Sequence, residues 1–208
     1  MPAYGTDKEV AIDTLDLRPR EHDALIIVDV QNDFLPDGKL AVPGGDEVVP
    51  ALNRLGALFA DRRLPVIATR DWHPAAHCSF RDQGGPWPPH CIAGTPGATF
   101  ADALHLPTSA IVVSKATQPD RDAYSGFERT ELDRLLHDAG AERLFVGGLA
   151  TDYCVLNTVR DALALGYKVF VLADAIRAVD VHVDDGARAL TEMERLGAIT
   201  ITSSTIAG

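Results

Sequence analysis

ALIIVDV, residues 24–30, contains one polar residue, Asp29, in an otherwise unbroken apolar run. Seven residues are too few for a typical helix, and the apolar character does not alternate. The run therefore reads as a parallel strand covered on both faces. Four more runs of this kind follow, at 65–69 (PVIAT), 110–114 (AIVVS), 143–146 (RLFV) and 168–172 (KVFVL). A weaker sixth, 198–202 (AITIT), lies near the end of the chain. Helix-period segments lie between them. Residues 46–63 place Val48, Val49, Leu52, Leu55, Leu58 and Phe59 on one stripe, and 130–139 do the same with Leu132, Leu135 and Leu136. Segments 152–165 and 181–196 complete the set. Gly140, Gly166 and Gly197 stand just past three of these segments, where a helix commonly stops. This alternation predicts an α/β fold, a doubly wound and mainly parallel six-stranded sheet with helices on both faces.

The 208 residues suit one domain, taken as 23–208 behind an N-terminal extension at 1–22. The extension mixes both charges, lacks the apolar core of a secretory signal, and is expected to pack on the surface or join a subunit contact. No apolar run reaches the roughly 20 residues that span a bilayer. A net charge of −11 argues against nucleic acid or an anionic membrane as partner. Three cysteines, Cys78, Cys91 and Cys154, cannot pair completely, which suits a reducing, cytoplasmic setting and leaves room for a reactive thiol. A homo-oligomer is left open.

In open parallel sheets, ligands bind beyond the carboxyl ends of the strands. Asp29, the Asp71/His73 pair, Lys115 and Cys154 follow four different strands and should meet at that edge. A buried carboxylate at Asp29 demands a cation, and Lys115 is the candidate. A lone cysteine is usually a small core residue. Cys154, however, enters a helix after a Gly-rich strand exit, where free N–H groups and a nearby lysine are expected to lower its pKa. Cys78 and Cys91 have no such setting and read as loop or packing residues. Between 73 and 107 neither period holds, and this stretch concentrates His, Cys and Trp. Asp71-x-His73 on an extended segment, with His90, reads as a site for a divalent metal, zinc first, with iron or manganese as options. His77 or water could fill a fourth place.

The segments LIIVDVQNDF (25–34), RDWHP (70–74), HCSF (77–80), WPPHC (87–91), GTPGA (94–98), YSGF (124–127) and GGLATDYCV (147–155) together resemble the nicotinamidase/pyrazinamidase branch of the isochorismatase-like cysteine hydrolases. The resemblance implies a catalytic triad of Asp29, Lys115 and Cys154 and a metal held by Asp71, His73 and His90. It further implies a cis Leu149–Ala150 peptide and an oxyanion hole from the Ala150 and Cys154 N–H groups. Phe34, Trp87, Tyr124 and Leu149 would line the substrate pocket. Nicotinamide, or an analogue such as pyrazinamide, would pass through a thioester to nicotinate and ammonia, feeding NAD salvage. A sister amidase acting on a carbamoyl amide or maleamate stays open. An aspartyl phosphotransferase fits less well, because it would want an acid where Gln31 stands. A binding domain that has lost activity would be expected to lack part of the triad.

Overall fold

The computed structural model describes residues 16–206. Most of the expected extension, 1–15, lies outside them. Six strands, β1 (Asp23–Val28), β2 (Val66–Asp71), β3 (Ile111–Lys115), β4 (Arg143–Leu149), β5 (Lys168–Arg177) and β6 (Ile199–Ile201), form one sheet. Its order is β3-β2-β1-β4-β5-β6, and every pairing is parallel. Four α-helices accompany it: α1 (Val49–Asp61), α2 (Leu132–Asp138), α3 (Leu156–Ala164) and α4 (Asp185–Leu196).

The strand pleat sorts the core into two layers. Leu25 and Ile27 of β1 face Leu52, Leu55 and Phe59 of α1. Ala24, Ile26 and Val28 face the other way, into a cluster with Leu132 and Leu136 of α2, Val159 of α3 and Met193 of α4. Both faces of β1 are therefore buried, which is why its sequence is continuously apolar.

The elements depart from the sequence reading mainly at their ends. β1 stops at Val28 because Asp29 turns into left-handed backbone, φ 50°. β5 runs on to Arg177 through a register shift opposite Val146 and Gly148. α1 begins at Val49 with Pro50 in its first turn, after a tight turn at Gly45–Val48. α4 begins at Asp185, after positive φ at Asp180 and Asp184 has broken the helical path. Residues 16–22 pack against the amino end of the sheet. Leu17 enters the core. Arg143 pairs with Asp23 at 2.6 Å and also donates to the Asp16 and Arg18 carbonyls at 3.0 and 3.3 Å.

The strand order reverses between β1 and β4, which opens a crevice at their carboxyl ends.

Candidate active site

Parallel strands bring their ends to one edge, and this edge gathers the polar residues. Asp29 follows β1, Asp71 ends β2 and Lys115 ends β3. Cys154 lies in a wide π-helical turn, Thr151–Val155, between β4 and α3. The Leu149–Ala150 peptide before that turn is cis.

Lys115 is the hub. Its side chain is fully buried, with Nζ 2.9 Å from Asp29 Oδ2 and 3.4 Å from Cys154 Sγ. Nζ also donates to the Ala123 carbonyl at 3.1 Å and makes a short contact with Asp71 Oδ1. Asp29 Oδ1 accepts the Thr69 hydroxyl at 2.6 Å. Ligand-type atoms of Asp29, Asp71 and Cys154 lie within 4.8 Å of one another.

The electrostatics separate the two carboxylates. Burial works against charge at both. At Asp71 the Lys115 ammonium and the neighbouring His73 outweigh burial and hold the carboxyl below its usual range. At Asp29 burial wins over Lys115, with Asp71 adding repulsion, so its proton affinity is raised. Lys115 is disfavoured by burial, yet the two carboxylates hold it charged, well above its ordinary value. The Cys154 thiol reverses the sequence expectation. Burial, supported by the Asp29 and Asp71 charges, pushes it well above its ordinary value against the pull of Lys115. Burial thereby favours the neutral thiol over the thiolate.

Beside this group, Asp71, His73 and His90 each offer a ligand atom within 4.8 Å of the others. His73 is buried, and neither of its ring nitrogens makes a hydrogen bond of good geometry; Nε2 stands 3.5 Å from Asp71 Oδ2. His90 donates from Nδ1 to the Pro88 carbonyl at 2.8 Å, leaving its Nε2 lone pair available. A buried imidazole with no partner is costly, and two imidazoles beside a carboxylate make a donor set that suits zinc or a similar ion. The residues fit a divalent metal. His77 does not join them. Its Nδ1 faces Ser79 Oγ at 2.8 Å and its Nε2 donates to the Arg121 carbonyl at 3.1 Å, so both nitrogens are engaged.

A cleft above these groups is lined by Phe34, Trp87, Tyr124, Tyr153, Ala150 and Cys154, among others. Trp87 Nε1 donates to Tyr124 Oη at 2.9 Å, and Tyr153 meets the Trp87 ring edge-on at 5.0 Å between centroids. Leu149, expected in the pocket, is not among its lining residues. As the last residue of β4 it is fully buried in the α1-side core, close against Gly45. Sequence reading also passed over Thr69, Gln31, the Ala123 carbonyl and Tyr153. Tyr153 adjoins Cys154 and could have been flagged, whereas the other three show their relevance only through contacts between distant segments.

The Isochorismatase domain family matches residues 23–205. The nicotinamidase of Escherichia coli (strain K12) is 43% identical over 200 residues, covering 86% of this chain and 94% of that protein. A crystal structure of the pyrazinamidase of Pyrococcus horikoshii in complex with zinc superposes with a TM-score of 0.83 at 46% identity, covering 87% of this chain and 99% of that one. The structure of PnC1 from L. infantum in complex with nicotinate gives 0.82 at 37%, covering 90% and 96%. With the match running through β1, the carboxyl-edge cluster and β6, the chain belongs to the isochorismatase family.

Proposed function

We propose that this protein is a cysteine amidohydrolase that converts nicotinamide, and analogues such as pyrazinamide, to nicotinate and ammonia. One observation carries the proposal: the buried Lys115 ammonium stands within 3.4 Å of both the Asp29 carboxylate and the Cys154 sulfur. A structural salt bridge needs no thiol at that distance. A nucleophile does need a base of raised proton affinity and a cation to hold its thiolate.

Asp29 takes the thiol proton, and Lys115 stabilises the thiolate. Sγ then attacks the amide carbon, and the oxyanion is received by the Ala150 and Cys154 N–H groups. The latter lies in the π-helical turn after β4, where the Ala150 carbonyl takes the flanking Tyr153 and Val155 N–H groups at 3.1 and 3.0 Å. The C–N bond breaks as Asp29 returns the proton to the leaving nitrogen, which departs as ammonia. A water molecule attacks the resulting thioester while Asp29 accepts its proton; the C–S bond breaks, and that proton restores the thiol. Phe34 and Trp87 supply aromatic walls for a planar ring. Asp71, His73 and His90 would hold a divalent ion, zinc foremost, which when bound supplies a Lewis-acidic anchor for the ring nitrogen or a water. The names of the relatives support the nicotinamide assignment. Recycling of nicotinamide toward NAD in the cytoplasm follows as the setting, and three unpaired cysteines suit a reducing compartment.

The test is ammonia release from nicotinamide, run beside Cys154→Ala and a chelator-treated sample. Turnover is expected in the wild type, loss in Cys154→Ala, and loss on chelation that zinc restores. Absence of turnover in folded, metal-loaded protein rejects the substrate, and full activity in Cys154→Ala rejects the mechanism.

A further inference from the structure

Gln31 follows Asp29 by two residues, is fully buried, and touches neither the thiol nor the cleft. Its amide is nevertheless fully used. Oε1 accepts the Asp71 N–H at 2.7 Å, while Nε2 donates to the Asp71 carbonyl at 2.8 Å and to the Ala98 carbonyl at 2.9 Å. The local topology explains why. The β1–β2 ladder pairs Ile27 with Ala68, and one more bond, Asp29 N–H to the Thr69 carbonyl at 3.2 Å, follows before the chain turns away at Asp29. Asp71 would then have no backbone partner on its β1 side. The Gln31 side chain replaces the missing peptide, accepting and donating as a strand neighbour would.

This clamp acts on the residue whose position matters most to both groups. Asp71 Oδ1 contacts Lys115, and Oδ2 faces His73. We infer that Gln31 is a positioning residue: its amide sets the Asp71 backbone so that one carboxylate serves the lysine and the metal group together. The inference rests on the metal reading given above. The neighbouring side chain works in parallel. Asp33 Oδ2 accepts the Cys91 N–H at 2.7 Å, and the Cys91 carbonyl in turn accepts the His73 N–H at 3.0 Å. The QND stretch that follows β1 thereby braces the segments bearing all three candidate ligands.

A purely structural clamp of the same kind exists elsewhere and serves as the control. Asn53 donates to the Ala103 carbonyl at 2.8 Å and accepts the His105 N–H at 2.7 Å, outside the cleft. The experiment measures the Zn2+ dissociation constant of metal-stripped, folded full-length protein by competition with a chromophoric chelator. The proteins compared are wild type, Gln31→Met and Asn53→Leu. Loss of a group that orients a ligand typically weakens metal binding about 10- to 100-fold. Gln31→Met is expected to show that loss, and Asn53→Leu to lose thermal stability while keeping the wild-type constant. If Gln31→Met does not fold, Gln31→Asn carries the measurement, since it keeps a buried amide but withdraws it by one methylene. Wild-type affinity in a folded Gln31 variant overturns the positioning role and leaves the metal reading standing. A wild-type protein that takes up no Zn2+ overturns both.

Discussion

Replacing Thr69 by valine removes one hydroxyl and almost no volume from the fully buried contact with Asp29. The Thr69 Oγ1–Asp29 Oδ1 bond is 2.6 Å long, and both residues have 0% exposure, so no bulk water can substitute for the lost donor. The sign follows from the charges. The hydroxyl favours the ionised carboxylate, opposing the burial that raises Asp29's proton affinity. Without it the affinity rises further. A hydrogen bond to a charged group contributes about 1.5–3 kcal/mol. At about 1.4 kcal/mol per unit, that moves the Asp29 titration up by about 1–2 pH units.

Two measurements read this shift. If Asp29 is the base, the acid limb of kcat/KM for nicotinamide, taken with the metal site saturated, moves to higher pH by that amount. Stability changes with a definite pH dependence. A carboxyl whose folded-state pKa lies above its unfolded value contributes stability at low pH and loses it as pH rises through the folded value. Thr69→Val should therefore match the wild type most closely in acid and fall behind by about 1.5–3 kcal/mol once Asp29 is ionised in both. An acid limb that stays in place, or moves to lower pH, refutes Asp29 as the base. A stability deficit independent of pH would mean that Thr69 only packs.

Tyr124→Phe removes the acceptor of the Trp87 indole N–H while keeping the ring. KM should rise about two- to ten-fold with little change in kcat, the effect of one neutral hydrogen bond on substrate binding, and steady-state kinetics would detect it. Gly148→Ala should be among the most damaging single methyl additions. Its Cβ would lie 2.0 Å from the Val28 carbonyl oxygen, at φ +126° in a strand that pairs Gly148 with Val28. A loss of about 3 kcal/mol or more is expected by urea denaturation, together with loss of activity as β1 and β4 separate.

Much of this organisation is legible in the chain because burial on both faces imposes it residue by residue. Leu25 and Ile27 must be apolar for α1, and Ala24, Ile26 and Val28 for α2 to α4, so the run can mean little else. Asp29, Asp71, Lys115 and Cys154 are legible for a topological reason: parallel strands end at one edge, so polar residues at four strand ends must meet. Side-chain direction after a strand is not legible in this way. Whether Tyr153 faces the cleft depends on the turn after β4, whereas Leu149 still follows the strand pleat, on the same side as Phe145. Whether His77 has a free nitrogen depends on the Arg121 carbonyl, 44 residues away.

The Cys154 thiol shows where magnitude decides between two correct principles. A helix end favours an anion by about 0.3–1 kcal/mol, reaching about 2 in partly buried geometries. Full burial can disfavour the same anion by about 3–5 pKa units, or about 4–7 kcal/mol. Sequence reveals the helix end, but the extent of burial is set by Lys115, Ala123 and the cleft walls, which arrive from other strands and loops. Burial therefore prevails, and Cys154 is held as a thiol. That outcome gives each of the three residues of the proposed triad a separate task. Activation by a helix end and a lysine would suffice for an exposed cysteine. A buried one requires a base whose own proton affinity has been raised by the same burial, the role proposed above for Asp29.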